Sequence, residues 1–442
     1  MNSDLQDAVP ARAVAACDTI GARMLADQLN GTAHRNALAC PVGLALALAT
    51  LRAGAADDGT GVDTMLGVNV DGNTQGRVRT WSTIQRNLQR LSIANNQARD
   101  RVWSAVQRSL RRFDVADAQQ LRDFDPEAIP EAPLLHIANN ILAIGDKTVI
   151  NQEYLDSAKR WYASDLGRVP VDDAKAALDA WANLHTGGLI KESGIDIDPS
   201  MRLVAQNALL FAARWAVPFK AEDTRQGASF TLADGSASTA DLMTGTGSYT
   251  LVTGKGWRAL RLPYSAGPES TATASGSDSS SSSNLVMDII LPDAIGSPAD
   301  LPSATWGEAS TALTAAETES QQQVALKLPK LNLASGVMSL FPVLSDLGVD
   351  LGSLDHIAPD FKVNQAVQQV RLIVDEEGTV AAALTEVGIT TTSIDDSGAV
   401  EFVVDHPYVL RIVDLTSGIA LIEAAILDPA AGPQLPPPAP AE

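Results

Sequence analysis

The chain has 442 residues, is 45% hydrophobic and carries a formal charge of −21. That is ample apolar material for a large core, while the acidic balance argues against a general affinity for nucleic acid or anionic membranes. Length alone would allow two domains, and no apolar run approaches the ~20 residues that a membrane span needs.

From the N-terminus, Met1–Ala16 (MNSDLQDAVPARAVAA) lacks a basic start followed by a continuous apolar stretch, so no secretory leader is expected and the cytoplasm is the expected compartment. Val14, Cys17, Ile20, Met24 and Leu25 then recur at helical spacing. Pro41 suits the first turn of a second helix, whose Ala/Leu density (LALALATLRAGA) predicts burial on most sides. The two cysteines, Cys17 and Cys40, sit in apolar surroundings without metal-ligand spacing to any histidine, which predicts buried free thiols.

Residues 71–133 are long and polar, with helical stripes at Val78, Trp81, Ile84, Leu88 and Leu91 and at Trp103, Val106 and Leu110. Arg86, Arg90, Arg99, Arg101, Arg108, Arg111 and Arg112 cluster there in an otherwise acidic protein. His136–Ile144 predicts a strand, Asn151 is placed to cap the helix QEYLDSAKRWYA, and a further helix over Ala174–His185 ends at Thr186-Gly187-Gly188. A strand around Asn207 follows. Ser265–Asn284 is low in complexity and predicts a flexible insertion between the strands GWRALRLPY and LVMDIILP. The chain ends in a proline-rich extension, residues 430–442, predicted to be disordered.

Val370–Val374 (VRLIV) and Phe402–Val413 (FVVDHPYVLRIV) predict buried strands. Between them, Asp375–Ser397 has no aromatic residue, no lysine or arginine and no proline, and is too long for a structureless connection unless it is functional. If the chain extends beyond the pivot at Gly378, then Thr379, Ala381, Ala383 and Thr385 share one face, and all are small. Such a segment could enter a sheet without collision. The other reading of the same residues is an alanine-rich surface loop.

Enzyme chemistry is absent from the pattern. His34, His136, His185, His356 and His406 show no close metal-ligand spacing, and there is no G-x-S-x-G elbow, phosphate loop or dinucleotide fingerprint. No metal, cofactor or enzymatic activity is expected.

Glu376-Glu377-Gly378-Thr379 followed by Ala381-Ala382-Ala383 resembles the hinge of inhibitory serpins, and Asp405-His406-Pro407-Tyr408 followed by Ile422–Pro429 resembles that family's C-terminal strands. Asn207-Ala208-Leu209-Leu210-Phe211 with Trp215, Pro218-Phe219, Thr224 and Phe230 is similar to the strand running into the region where the loop inserts, and Val324–Leu333 to another strand. The matches span about Val14 to Pro429. The resemblance implies a mixed α+β (α/β) serpin-like fold: three β-sheets, surrounding helices and an exposed reactive-centre loop. It also implies a single domain over 14–429 after an N-terminal extension 1–13, with the serine-rich insertion at 265–284 and the loop at 375–398.

The function it implies is suicide inhibition of serine, or cysteine, proteases by a monomeric protein of prokaryotic type, with a non-inhibitory binding or carrier protein as the alternative. The hinge would be Glu376 to Ala383 with Val380 inside it, and the family's usual spacing places the reactive bond at Thr392-Ser393, flanked by Thr391 and Ile394. Trp215, Asn207, Gln368, Cys40 and Gly43 match positions where the sheet must part. Gln368 stands where the family has a histidine paired with the asparagine matching Asn207, and an amide could keep that contact. Cys40 and Gly43 stand where serines are usual. The helix over 152–162 is expected to lie across the main sheet. Some serpins bind polyanions through basic helices near residues 71–133, so Arg86, Arg90, Arg108, Arg111 and Arg112 form either a polyanion site or a solvated helix face.

Overall fold

The structure is a computed structural model and describes residues 11–30, 35–52, 61–66, 121–125, 128–145, 149–162, 164–198, 200–267, 282–302, 304–317, 321–351, 354–358, 363, 365–380 and 398–432. The arginine cluster, most of the serine-rich insertion, loop residues 381–397 and both chain ends lie outside the described residues.

Mixed α+β architecture with three sheets is what the described residues form. The main sheet has six strands in the order β10 (Leu331–Ala334), β13 (Arg371–Val374), β14 (Gly378–Val380), β4 (Leu203–Arg214), β2 (Leu134–Ile144) and β3 (Asp165–Val169). A nine-stranded sheet runs β1 (Ala37–Ala39), β17 (Ile419–Ile426), β16 (Tyr408–Asp414), β8 (Ser282–Pro292), β7 (Trp257–Ser265), β6 (Ala237–Gly254), β9 (Gln321–Pro329) and β15 (Val400–Val403), with β5 (Arg225–Thr231) also on β6. A third sheet pairs β11 (Met338–Ser339) with β12 (Val367–Gln368).

Period-two alternation on β2 and β4 sorts the layers. Ile141, Ala143 and Leu203 face Leu51 of α2 (Pro41–Arg52) and Tyr154 and Ala158 of a helix over Gln152–Tyr162. Leu142, Ile144 and Val204 face Ala174 and Leu178 of a helix over Ala174–His185. With α1 at Ala11–Leu29 and α3 at Val62–Met65, these two helices are α4 and α5. The outer helix over β2 and β4 is therefore α5, whereas α4 shares the face that α2 covers, which corrects the expectation for 152–162. Asn151 caps α4 as its position suggests, its Oδ1 accepting from Glu153 N at 3.0 Å. Gly187 and Gly188, both left-handed, end α5.

Two sequence runs that predict single strands are each divided. Val324–Leu333 changes sheet at Lys330, whose N–H bonds Asp241 O at 2.8 Å, so β9 and β10 belong to different sheets. Phe402–Val413 turns at Asp405–Pro407, where proline cannot donate to a ladder. His406 lies in that turn, its ring nitrogens against Asp405 Oδ1 (2.8 Å) and Pro292 O (2.7 Å).

The nine-stranded sheet buries an alternating charge row. Arg261, Asp288, Arg411 and Glu423 are directly opposed across β7, β8, β16 and β17, facing α1 and α6 (Thr305–Ala316). Arg261 grips Asp288 through two bonds of 2.7 and 2.9 Å, and Arg411 Nε donates to Glu423 Oε1 at 2.9 Å and also binds Asp18 of α1. Pairing of this kind makes four buried charges tolerable in one layer.

Candidate functional site

Asp375 sets the turn that begins the loop. Its Oδ1 accepts from Glu377 N (3.0 Å) and Gly378 N (3.2 Å), and its own N–H bonds Gly378 O, so the chain reverses from β13 directly into β14. β14 is antiparallel to both neighbours: Thr379 opposes Val374 on one side and Ala213 on the other. Glycine at 378 is required by proximity, because a Cβ there would stand 2.2 Å from Ala213 O.

Thr379 points into the core and is 1% exposed. Its Oγ1 accepts from Tyr264 Oη at 2.7 Å. Tyr264 stacks on Trp215 (centroids 4.7 Å, planes 9° apart) and meets Phe211 edge-on at 5.2 Å. Trp215 in turn holds the hairpin from outside the ladder, its Nε1 donating to Asp375 O at 2.9 Å and its N–H to Glu377 O at 2.8 Å. Phe219 N donates to Glu376 O at 2.8 Å.

Glu376 is the charged anchor. Its Oε1 accepts from Thr224 Oγ1 (2.8 Å) and its Oε2 pairs with Lys330 Nζ (2.6 Å). Burial raises the carboxyl, but the hydrogen bonds from Lys330 and Thr224 together with the Lys330 charge outweigh it, and the pKa lies below the ordinary glutamate value. Asp375 shifts upward, mainly by burial. Glu377 stands 3.9 Å from Arg214 at the surface.

Below Thr379 the main sheet parts. β4 is paired with β2 along Leu203–Ala212, but towards β13 its only strand partner among the described residues is β14, at Ala213 and Arg214. A cavity of about 390 Å³ runs between Leu203–Ala208 of β4 and the segment Gln365–Gln369, floored by Leu44 and Leu48 of α2. A smaller one of about 80 Å³ continues it up to Phe211, Leu372 and Thr379.

Asn207 and Gln368 border this gap without meeting. Asn207 Nδ2 donates to Asn139 Oδ1 (2.9 Å) and Ala138 O (3.2 Å), while Gln368 pairs with the backbone of Cys40. The expected amide contact is thus replaced by two separate ones, because the strands that carry the partners stand apart. Gly43 leaves room for Asn207, whose Oδ1 would lie 2.7 Å from a Cβ there. Cys40 is a buried free thiol, its pKa pushed up to about 12 by burial, and Cys17 is likewise buried and free.

Of the sequence-derived site residues, Trp215 and Glu376 to Val380 converge at the head of the gap, and Asn207, Gln368, Cys40 and Gly43 lie along it. Ala381 to Ala383 and Thr391, Thr392, Ser393 and Ile394 lie outside the described residues. Tyr264, Asp375 and Lys330 were not singled out by sequence. Lys330, the lone cation just after a strand-ending proline, carried a usable signal; Tyr264 did not. Among the described residues there is no group of histidine, cysteine and carboxylate side chains fit to hold a metal, and no helix long and apolar enough to cross a membrane.

A family profile described as Serpin (serine protease inhibitor) matches residues 15–429. Ovalbumin of Coturnix japonica is 25% identical over 311 residues, covering 66% of this chain and 74% of that protein. Serpin-Z2B of Triticum aestivum is 28% identical over 276 residues, covering 58% of this chain and 64% of its relative. Among solved structures, the thermophilic serpin tengpin in its native state superposes with a TM-score of 0.67 at 16% identity, over 94% of each chain, and that likeness concerns the fold. A profile match over almost the whole length, on the fold described above, places this chain in the serpin family.

Proposed function

We propose that the protein is a suicide inhibitor of serine proteases, acting in the cytoplasm through cleavage of the loop after β14 and its insertion into the main sheet. The observation that carries this reading is β14 itself, a three-residue strand that pairs with β13 on one side and β4 on the other, at the head of a cavity that, among the described residues, continues between β4 and the segment Gln365–Gln369. Continued in the same register, Ala381 would meet Phe211 and Leu372, Ala383 would meet Leu209 and Val370, and Thr385 would arrive between Asn207 and Gln368. Small residues thus fall on the crowded inner face. A protease that attacks the loop forms an acyl-enzyme; insertion then drags it across the molecule and deforms its active site before deacylation. Roughly a dozen new backbone hydrogen bonds at ~1 kcal/mol net each give on the order of 10 kcal/mol, enough for a one-way change.

The target class follows from what the loop omits. No lysine or arginine occurs between Arg371 and Arg411, and no Phe, Tyr, Trp or Met between Val374 and Phe402. A reactive bond at Thr392-Ser393 suits shallow or permissive pockets of the elastase or subtilisin kind. Incubation with proteases of several specificities, followed by denaturing electrophoresis, tests this: a covalent complex with an elastase-like or subtilisin-like enzyme is expected. Clean cleavage without any complex would favour the second reading, a non-inhibitory binding protein, to which Val380 and the bulkier Leu384 point.

A further inference from the structure

On the far side of the molecule from the loop gap, the buried charge row of the nine-stranded sheet is roofed by two helices, and each gives way to a carboxylate through a glycine. Glu423 of β17 ends against Gly21 of α1, where a Cβ would stand 2.2 Å from its Oε2. Asp18, one turn earlier on α1, reaches the row beside Gly307 of α6, where a Cβ would stand 2.8 Å from Asp18 Oδ2.

A guanidinium offers five N–H groups in a fixed fork, and both arginines of the row direct theirs elsewhere than Glu423 Oε2. Arg411 turns Nε and Nη2 to Glu423 Oε1 and Asp18 Oδ1, and Nη1 to Trp306 O (3.0 Å) and Ser310 Oγ (2.9 Å). Arg261 turns Nε and Nη2 to Asp288 and Ser310 O, and Nη1 to Thr314 Oγ1 (3.1 Å) and Glu317 Oε2 (3.6 Å). Glu423 Oε2 is left buried without a partner.

The groups that face Glu423 are Arg411 of β16 and Asp18 and Cys17 of α1, with Cys40 beyond Cys17. Asp288 and Arg261 lie further along the row, and Glu317 stands at its outer end. Burial, then Asp18 and Glu423, push the Cys17 thiol well up, so it adds no charge. Two guanidiniums therefore meet three buried or half-buried carboxylates, Asp18, Asp288 and Glu423, which leaves one negative charge in excess. An uncompensated charge away from water is costly, and one proton removes it.

We propose that Glu423 Oε2 is a proton-binding site roofed by α1, and that its proton latches α1 to the nine-stranded sheet. Without the proton, Glu423 and Asp18 share one guanidinium as like charges. The helix is the part that yields, because Asp18 is the partner nearest water, with 30% of its side chain exposed against 1% for Glu423. Burial first, and Asp18 after it, hold the proton on Glu423 against the pull of Arg411. With α1 lifted, Glu423 returns to the ordinary value of about 4.3. Docking is thus complete below that value and weakens as pH rises through the docked one, by up to about ten-fold per pH unit. The latch does not depend on loop insertion.

Infrared difference spectroscopy on the full-length protein reads the proton directly. About one pH unit above the ordinary glutamate value, wild type minus Glu423→Gln should show the carbonyl stretch of a protonated carboxylic acid; carboxylate bands alone would overturn the site. Amide exchange, corrected for the intrinsic rate, reads the latch. Wild-type α1 peptides should lose protection as pH rises, by up to about ten-fold per unit, while β2 peptides keep theirs, and in Glu423→Gln the α1 slope should vanish. A wild-type α1 without a slope, a slope that Glu423→Gln retains, or a loss that β2 shares overturns the latch. Should Glu423→Gln fail to fold, Asp18→Asn removes the other like charge and must flatten the same slope; an unchanged slope there overturns the proposal as well.

Discussion

The Tyr264 hydroxyl satisfies a threonine that the chain buries at the start of its loop, 115 residues away in sequence. Tyr264→Phe keeps the stack on Trp215 but leaves Thr379 Oγ1 buried without its donor, a loss of about 1–3 kcal/mol. The unfolding midpoint in denaturant should fall accordingly, and limited proteolysis should find the hinge more accessible; an unchanged midpoint would show that Thr379 finds another partner. Glu423 makes a different residue-scale prediction. Its Oε2 has no hydrogen-bond partner, and its pKa is raised by burial first and by Asp18, against the opposing effect of Arg411. The folded protein therefore holds this proton to higher pH than the unfolded chain, so the associated stability is complete below the unfolded value of about 4.3 and declines as pH rises through the folded one. Glu423→Gln should flatten that decline above the ordinary glutamate pKa in denaturant titrations. A slope equal to the wild type's would assign the titration elsewhere.

Among the elements, the hairpin from β13 to β14 depends on one missing methyl group. Gly378→Ala must displace either the hairpin or Ala213 of β4, an overpacking cost of about 1–3 kcal/mol, and should release β14 from the sheet. Exchange protection at Thr379 and Val380 would report it, and full protection in the variant would mean that β4 yields instead. Elements that local pattern determines were legible in the sequence: the helix over Ala174–His185, the cap at Asn151 and the buried helix after Pro41 needed only periodicity and capping chemistry. What was not legible depends on which strand lies beside which. Nothing in Val324–Leu333 announces that Lys330 changes sheets, since both halves alternate in the same way. Gln368 and Asn207 could have bonded to each other on amide chemistry alone; the separation of their strands sends one to Cys40 and the other to Asn139. The expectation that α4 would lie across the main sheet, where α5 lies instead, failed for the same reason, because two amphipathic helices followed by strands offer equal local claims to the same face.

For the molecule as a whole, the described part of the main sheet holds a three-residue strand, β14, between β13 and β4, with a cavity continuing between β4 and the segment Gln365–Gln369, and on the insertion reading proposed above this sheet has stability still to gain. A single cut within Val387–Asp396 should free the loop to fill the gap, raising the unfolding temperature sharply rather than lowering it. Thr379→Arg tests the same transition from its first inward residue. The position is 1% exposed and packed on Tyr264, so an arginine there either buries a charge at a cost of several kcal/mol or keeps the hinge out of the sheet. Protease should then cleave the loop and depart, giving product without complex, and the cleaved variant should show little of the thermal gain seen in the cleaved wild type. Trapping of protease at full stoichiometry by Thr379→Arg would mean that insertion does not pass through the seat that Thr379 occupies, and that β14 marks a resting contact of the loop rather than the start of its path.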